Sequence, residues 1–145
     1  MTPEEGPRVV VGVDPSEHAT TALDWAADEA VLRGWPLRIV HARGAGASRL
    51  AEISTHHAWE DAERAARTLL EGAERRAREG HGVLVVTTSL LDDAPLPGLI
   101  GAVDPADLLV LGAQRAHARF APPLGRVVQR VLHQAECPVA LVPQA

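Results

Sequence analysis

Short apolar runs alternate with helix-like segments along the whole chain. Five runs are rich in β-branched and aliphatic residues, which predicts buried strands at 8–13, 37–42, 83–88, 108–112 and 138–142. Between them, apolar residues recur every three or four positions, which predicts helices at 17–33, about 53–79, 96–103 and about 124–135. The pattern shows neither a repeat nor a linker, so we expect a single domain over residues 1–145 with its core at about 8–143.

The regular alternation predicts an α/β fold with a parallel sheet, because right-handed crossovers bring each strand back in the same direction. We expect a doubly wound, Rossmann-like sheet of five strands in the order 3-2-1-4-5, with helices on both faces. Ligands of such folds bind at the carboxyl ends of the strands where the chain reverses direction. Here that switch point lies between the first and fourth strands, at Asp14 and the loop after Gly112.

Composition and charge narrow the choice of partners. The formal net charge of −5 argues against a surface built to coat nucleic acid or an anionic membrane. No apolar run reaches the roughly 20 residues that a membrane span needs. The opening residues 1–7 are polar and acidic, so we expect no signal peptide. Cys137 is the only cysteine, which favours a reducing cytoplasm, and its place at a strand start predicts a buried, unreactive thiol.

Several classes of chemistry lack the residues that they need. The sequence contains no lysine, which excludes a Walker-type phosphate site and Schiff-base chemistry, because both need a lysine. The histidines show no metal-ligand spacing, and the adjacent His56 and His57 would point about 100° apart on a helix. No arrangement of nucleophile, base and acid stands out. We therefore predict no metal site and no catalytic residues.

Two blocks of sequence resemble the universal stress protein family. The opening VVVGVDPS at 9–16, followed by ALDWAADEA at 22–30, is similar to the first strand and helix of that family. The second block joins ADLLVLGAQ at 106–114 to FAPPLGRVVQRVLHQAECPVALV at 120–142, and its closing segment is the more specific signal. The resemblance covers nearly the whole chain, and the poorest match lies at 43–53.

The resemblance implies a nucleotide pocket at the switch point. In members that bind ATP, an aspartate at the end of the first strand accepts hydrogen bonds from the adenine or ribose, and Asp14 holds that position. An equally good interpretation makes Asp14 a turn residue that caps the first helix. Backbone at the end of the second strand also lines the family's adenine pocket, here at about Val40. From the sequence alone, Val40 is simply a buried strand residue.

The phosphate loop of those members has the pattern Gly, two residues, Gly, nine residues, then Gly and Ser or Thr. The glycines let backbone N–H groups approach phosphate oxygens, and the hydroxyl adds a donor. Gly112 and Gly125 match, but Arg115 replaces the second glycine and Arg126 replaces the hydroxyl residue. Val127 follows at the start of the last helix and completes the predicted site. These changes predict weak or absent ATP binding, with no certain cofactor and with ATP, ADP or AMP as candidate ligands.

The arginines after Gly112 allow more than one interpretation. Arg115, Arg119, Arg126 and Arg130 could be solvated side chains that flank a turn and a helix. They could also offer bidentate bonds to a phosphate or another small anion in a site of altered geometry. A third interpretation is contact with an acidic protein partner.

The resemblance implies a stress-response regulatory protein that works as a homodimer. It is not expected to be an enzyme, apart from slow ATP hydrolysis at most. The terminal strand PVALV at 138–142 is apolar on successive residues, so both of its faces need cover. The family pairs this strand across a two-fold axis. The alternative function is a working adenine-nucleotide binder whose arginines replace the usual phosphate-loop residues.

Overall fold

The computed structural model describes residues 6–43, 56–113 and 126–143. Five parallel strands form one sheet in the order β3-β2-β1-β4-β5, which confirms the predicted fold and strand order. The strands are β1 (Val9–Gly12), β2 (Leu37–Ala42), β3 (Val86–Leu91), β4 (Leu108–Ala113) and β5 (Val139–Pro143). The helices in these ranges are α1 (Glu17–Arg33), α2 (His56–Arg78), α3 (Pro95–Gly101) and α4 (Arg126–Gln134).

Hydrophobic cores lie on both faces of the sheet, as the alternation of elements predicted. Successive residues of a strand point to opposite faces, so Val9 and Val11 join the core beneath α1 and α2, whereas Val10 joins the core beneath α3 and α4. Cys137 belongs to the second core and is buried, as expected, and burial raises the pKa of its thiol. None of the helices in the described ranges has the length and apolarity that a membrane crossing requires.

The first helix begins and ends where the sequence predicted. The Ser16 hydroxyl accepts a hydrogen bond from the Ala19 N–H at 3.3 Å and so caps the amino end of α1. Gly34 follows the last residue with φ at 69°, a left-handed conformation that glycine adopts without steric penalty. These two signals fix the length of α1 and therefore the place where its first turn meets the sheet.

The third strand lies three residues later than predicted. Val83 is 90% exposed and belongs to a turn in which the Leu84 N–H donates to the His81 carbonyl. The strand itself runs over Val86–Leu91 and pairs along the full length of β2. The apolar run 83–88 therefore predicted the presence of the strand correctly and its bounds wrongly.

One buried carboxylate ties the amino ends of β1 and β4 together. Asp107 is 2% exposed, and it accepts hydrogen bonds from the Arg8 N–H at 3.0 Å, the Arg8 guanidinium at 2.9 Å and the Asp104 N–H at 2.9 Å. The Arg8 guanidinium also reaches the carbonyl of Ala102, which follows α3. This network holds the sheet at the end opposite the predicted pocket.

Candidate functional site

A cavity of about 290 Å³ opens at the switch point, where β1 and β4 lie side by side and their chains leave to opposite faces. Its lining includes the carboxyl ends of β1, β2 and β4, the first turn of α1, and residues of α3 and α4. Four of the predicted site residues line this cavity, namely Asp14, Val40, Gly112 and Val127. The topology thus brings together residues that lie more than 100 positions apart in the sequence.

Asp14 adopts the turn role that the sequence allowed. Its carboxylate Oδ1 accepts the Ser16 N–H at 2.8 Å, which forms an Asx turn leading into α1. The side chain is exposed and lines the cavity. A carboxylate has two oxygens and about four acceptor positions, so the turn leaves acceptor capacity for a ligand. The two interpretations of Asp14 are therefore compatible.

Val40 lies at the cavity wall, at the carboxyl end of β2. Its carbonyl accepts the Val13 N–H at 2.9 Å, so the chain leaving β1 is held against the end of β2. Its side chain is fully buried in the second core. Val40 fixes the distance between the two strand ends that frame the cavity.

Gly112 is required by packing, whatever the cavity binds. A Cβ atom at this position would lie 2.6 Å from the carbonyl oxygen of His18 in the first turn of α1. A rigid backbone atom at that distance cannot move aside easily, so only glycine lets α1 sit this close to β4. The glycine that matches the phosphate-loop pattern therefore also has a structural reason to be there.

Two histidines in the cavity wall were missed by the sequence analysis. The Nδ1 atom of His41, the residue after Val40, lies 2.7 Å from the carbonyl oxygen of Val13. The Nδ1 atom of His18 is enclosed and has no hydrogen-bond partner among the described residues. A search for metal-ligand spacing could not identify them. Their positions could have identified them, because His18 lies in the first turn of α1 and His41 near the carboxyl end of β2, and both places border the cavity.

The predicted phosphate loop lies mostly outside the described residues. Arg115 and Gly125 are in the range 114–125, of which the structure describes nothing. Arg126 is the first described residue of α4, but its side chain lies outside the described part of the structure. Val127 is half-buried against the second core and lines the cavity.

The described cavity lining is mainly apolar and contains no arginine. Val13, Leu99 and Leu111 are among its aliphatic members, and Asp14 is its only acid. Across the described ranges no group of three or more His, Cys, Asp or Glu side chains is placed to hold a metal ion. This part of the wall suits a ring or another apolar body with a few polar atoms, and any phosphate charge would have to be met elsewhere.

The fold and the cavity define a doubly wound α/β protein with a pocket at its switch point. Residues 7–143 match the universal stress protein family, so the chain belongs to that family. A universal stress protein of Mycobacterium tuberculosis is 34% identical over 146 residues, a match that covers 94% of this chain and 48% of the relative. The chain spans about half the length of the curated relatives it matches.

Solved structures agree with this family membership. A universal stress protein from Archaeoglobus fulgidus is 25% identical, with a TM-score of 0.71 over 94% of this chain and 98% of that chain. The universal stress protein of the same organism in complex with dAMP is 26% identical, with a TM-score of 0.69 over 94% of this chain and 97% of that chain. The resemblance stated from the sequence motifs is confirmed.

Proposed function

We propose that this chain is a stress-response regulatory protein that acts as a homodimer in the cytoplasm and binds ATP weakly or not at all. It is proposed to be a single universal stress protein domain without enzymatic activity, apart from slow ATP hydrolysis at most. The observation that carries the proposal is the switch-point cavity, whose described wall is mainly aliphatic and includes the carboxylate of Asp14. Such a wall recognises the nucleoside part of a nucleotide better than its phosphates.

The nucleoside half of the pocket has support from geometry and from a relative. Val127 and Val128 are partly exposed and supply apolar contact area, and Asp14 supplies acceptor oxygens in the same lining. A structural relative with 26% identity is described as a complex with dAMP. An adenine nucleoside or AMP is therefore the ligand class that we propose for this cavity.

The phosphate half lacks two groups that the family pattern supplies. Arg115 replaces a glycine, which removes the backbone freedom that lets N–H groups approach an anion. Arg126 replaces a serine or threonine, which removes a hydroxyl donor. Each lost hydrogen bond to a charged phosphate is worth about 1.5–3 kcal/mol, so two losses weaken ATP binding by roughly two decades or more.

The test starts with the protein as it is purified. We expect that denaturation releases no stoichiometric ATP, as judged by chromatography and mass spectrometry. We also expect calorimetric titration with ATP and Mg²⁺ to give a Kd above about 100 µM, the range to which a loss of two decades brings a micromolar site. ATP released one per chain, or a Kd of a few micromolar, would refute weak binding.

A second candidate function is a working ATP binder whose arginines hold the phosphates. It is favoured by the four arginines that follow Gly112 in the sequence, at positions 115, 119, 126 and 130, because they supply the positive charge that a triphosphate needs. Arginine forms bidentate, charge-assisted bonds to phosphate that can replace lost backbone donors. The exchange of Arg115 and Arg126, argued in the Discussion, separates the two functions.

The proposed dimer interface is the outer edge of β5. Among the described strands, β5 pairs with β4 alone, and Val139, Ala140 and Leu141 are each partly exposed. The Leu109 N–H donates to the Pro138 carbonyl, so Pro138 directs its hydrogen-bonding groups toward β4. Because these groups alternate between the two sides of a strand, the N–H of Ala140 also faces β4. The Leu141 N–H therefore faces outward, where an antiparallel copy of the strand would accept it.

Leu141→Pro is expected to weaken the dimer at least tenfold, because proline removes the outward-facing donor and leaves the β4 ladder in place. The matched control is Leu141→Ala, which loses side-chain packing but keeps the N–H. Sedimentation or light scattering across a concentration series measures both variants. Equal dissociation constants for the proline and alanine variants, or a wild type that is monomeric at micromolar concentration, would contradict the proposed interface.

A further inference from the structure

The tautomer of His41 is fixed by its contact with the chain that leaves β1. Its Nδ1 lies 2.7 Å from the carbonyl oxygen of Val13, and a carbonyl can only accept. In the neutral ring, Nδ1 must therefore carry the proton, which makes Nε2 the acceptor. Among the described residues, no protein group forms a hydrogen bond with Nε2. His41 is half-buried and is one of the residues that line the cavity, so this acceptor is available to a ligand that enters it.

The position of His41 is held from two sides. Its own backbone belongs to β2, and the Val13 carbonyl to which it donates is itself fixed because the Val13 N–H donates to Val40 at 2.9 Å. The ring therefore has a defined orientation without a ligand. A polar group held in this way discriminates strongly, because a ligand that does not satisfy it leaves a partly buried acceptor without a partner.

We infer that His41 Nε2 accepts a hydrogen bond from the nucleoside and so determines specificity. The donor is either the exocyclic amine of the base or a ribose hydroxyl. The inference rests on the proposed function and goes further, because it assigns a specificity-determining residue that does not depend on the phosphate loop. Asp14 adds a second acceptor to the same cavity wall. Together they favour a ligand edge rich in donors over an edge rich in acceptors.

The His41→Asn variant isolates the acceptor. The Asn amide nitrogen occupies the same position relative to Cγ as Nδ1, so it can still donate to the Val13 carbonyl, but the variant has no counterpart of Nε2. The matched control is His81→Asn, the same substitution at a histidine that follows α2 at the opposite end of the sheet, where it contacts Asp28. Thermal unfolding of both variants checks that the fold is retained.

The probes are adenosine and three analogues that each lack one donor, namely purine riboside, 2′-deoxyadenosine and 3′-deoxyadenosine. Calorimetric titration is expected to show that removing one particular donor weakens binding to the wild type about tenfold, the effect of one unmet hydrogen bond. In His41→Asn that difference falls to within twofold, whereas His81→Asn keeps it. Adenosine itself binds His41→Asn about tenfold more weakly than wild type.

Two different failures are distinguishable. If adenosine binds the wild type but all three analogues bind equally well, or if His41→Asn discriminates among them as the wild type does, the role of His41 is overturned and the nucleoside pocket stands. If neither adenosine nor any analogue binds the wild type at millimolar concentration, the nucleoside pocket fails, and the role of His41 fails with it.

Discussion

Asp107→Asn is expected to lower the free energy of unfolding by roughly 3 kcal/mol at neutral pH. The substitution removes the charge that faces Arg8 and turns one accepting oxygen into an amide group that confronts N–H donors. Breaking a buried ion pair by changing one partner typically costs about 3–5 kcal/mol. The lower end applies because the Arg8 side chain is 20% exposed and water can partly solvate it once its partner is gone.

The effect of Asp107→Asn should depend on pH in a defined direction. Burial alone would raise the pKa of the Asp107 carboxyl, but hydrogen bonds from Arg8 and Asp104 outweigh it and hold the pKa below its ordinary value. A lowered folded-state pKa means that the stabilisation is complete above the unfolded-state value of about 3.9 and is lost as the pH falls toward the folded-state value. The difference between wild type and variant should therefore shrink below about pH 4.

Asp104→Asn is the matched control, because the same chemical change falls three residues away on a side chain that is 79% exposed and 3.7 Å from the Arg8 guanidinium. Exposed pairs contribute at most about 1 kcal/mol. Urea unfolding at one fixed protein concentration, from pH 3 to pH 7, measures all three proteins. If the two variants are equally stable, or the Asp107 difference does not change with pH, this account of the carboxylate is wrong.

The fold was predictable because its signals are local. Ser16 and Gly34 mark the two ends of α1 through contacts within four residues of those ends. Each strand is indicated by a run of aliphatic residues. The bounds of β3 were not predictable in this way. The apolar run begins at Val83, but that residue is exposed in a turn, and the strand is set by its pairing with β2, a long-range contact that no local pattern reports.

The candidate site likewise contains residues that local sequence predicts and residues that depend on long-range contacts. The positions of Asp14 and Gly112 at the cavity could be predicted, because Asp14 follows β1 and Gly112 lies near the carboxyl end of β4, and these two strand ends meet at the switch point. His41 could not be assigned a role from its spacing, because its hydrogen bond spans 28 residues to Val13. Asp107 received no role from the sequence, because its partner Arg8 lies 99 residues away. His41 and Asp107 are thus paired by the topology of the fold, whereas Asp14 is paired locally with Ser16.

The double variant Arg115→Gly, Arg126→Ser is expected to bind ATP about 100-fold more tightly than the wild type. It restores the glycine and the hydroxyl that the family pattern places in the phosphate loop, next to Gly112 and Gly125, which already match. Two recovered hydrogen bonds to phosphate, each worth about 1.5–3 kcal/mol, amount to two decades or more in Kd. Calorimetric titration with ATP and Mg²⁺ measures the change.

Charge alone must be separated from loop chemistry, because the double variant also removes two positive charges. Arg130→Ser removes one charge from the exposed side of α4, four residues after Arg126, without touching either pattern position. If the loop was degraded by its arginines, the double variant gains ATP affinity and Arg130→Ser does not. If instead the wild type binds ATP at micromolar concentration and the double variant loses that affinity, Arg115 and Arg126 are phosphate ligands. Asp14, Gly112 and Gly125 would then be the remainder of a working nucleotide pocket, and the second candidate function would replace the first.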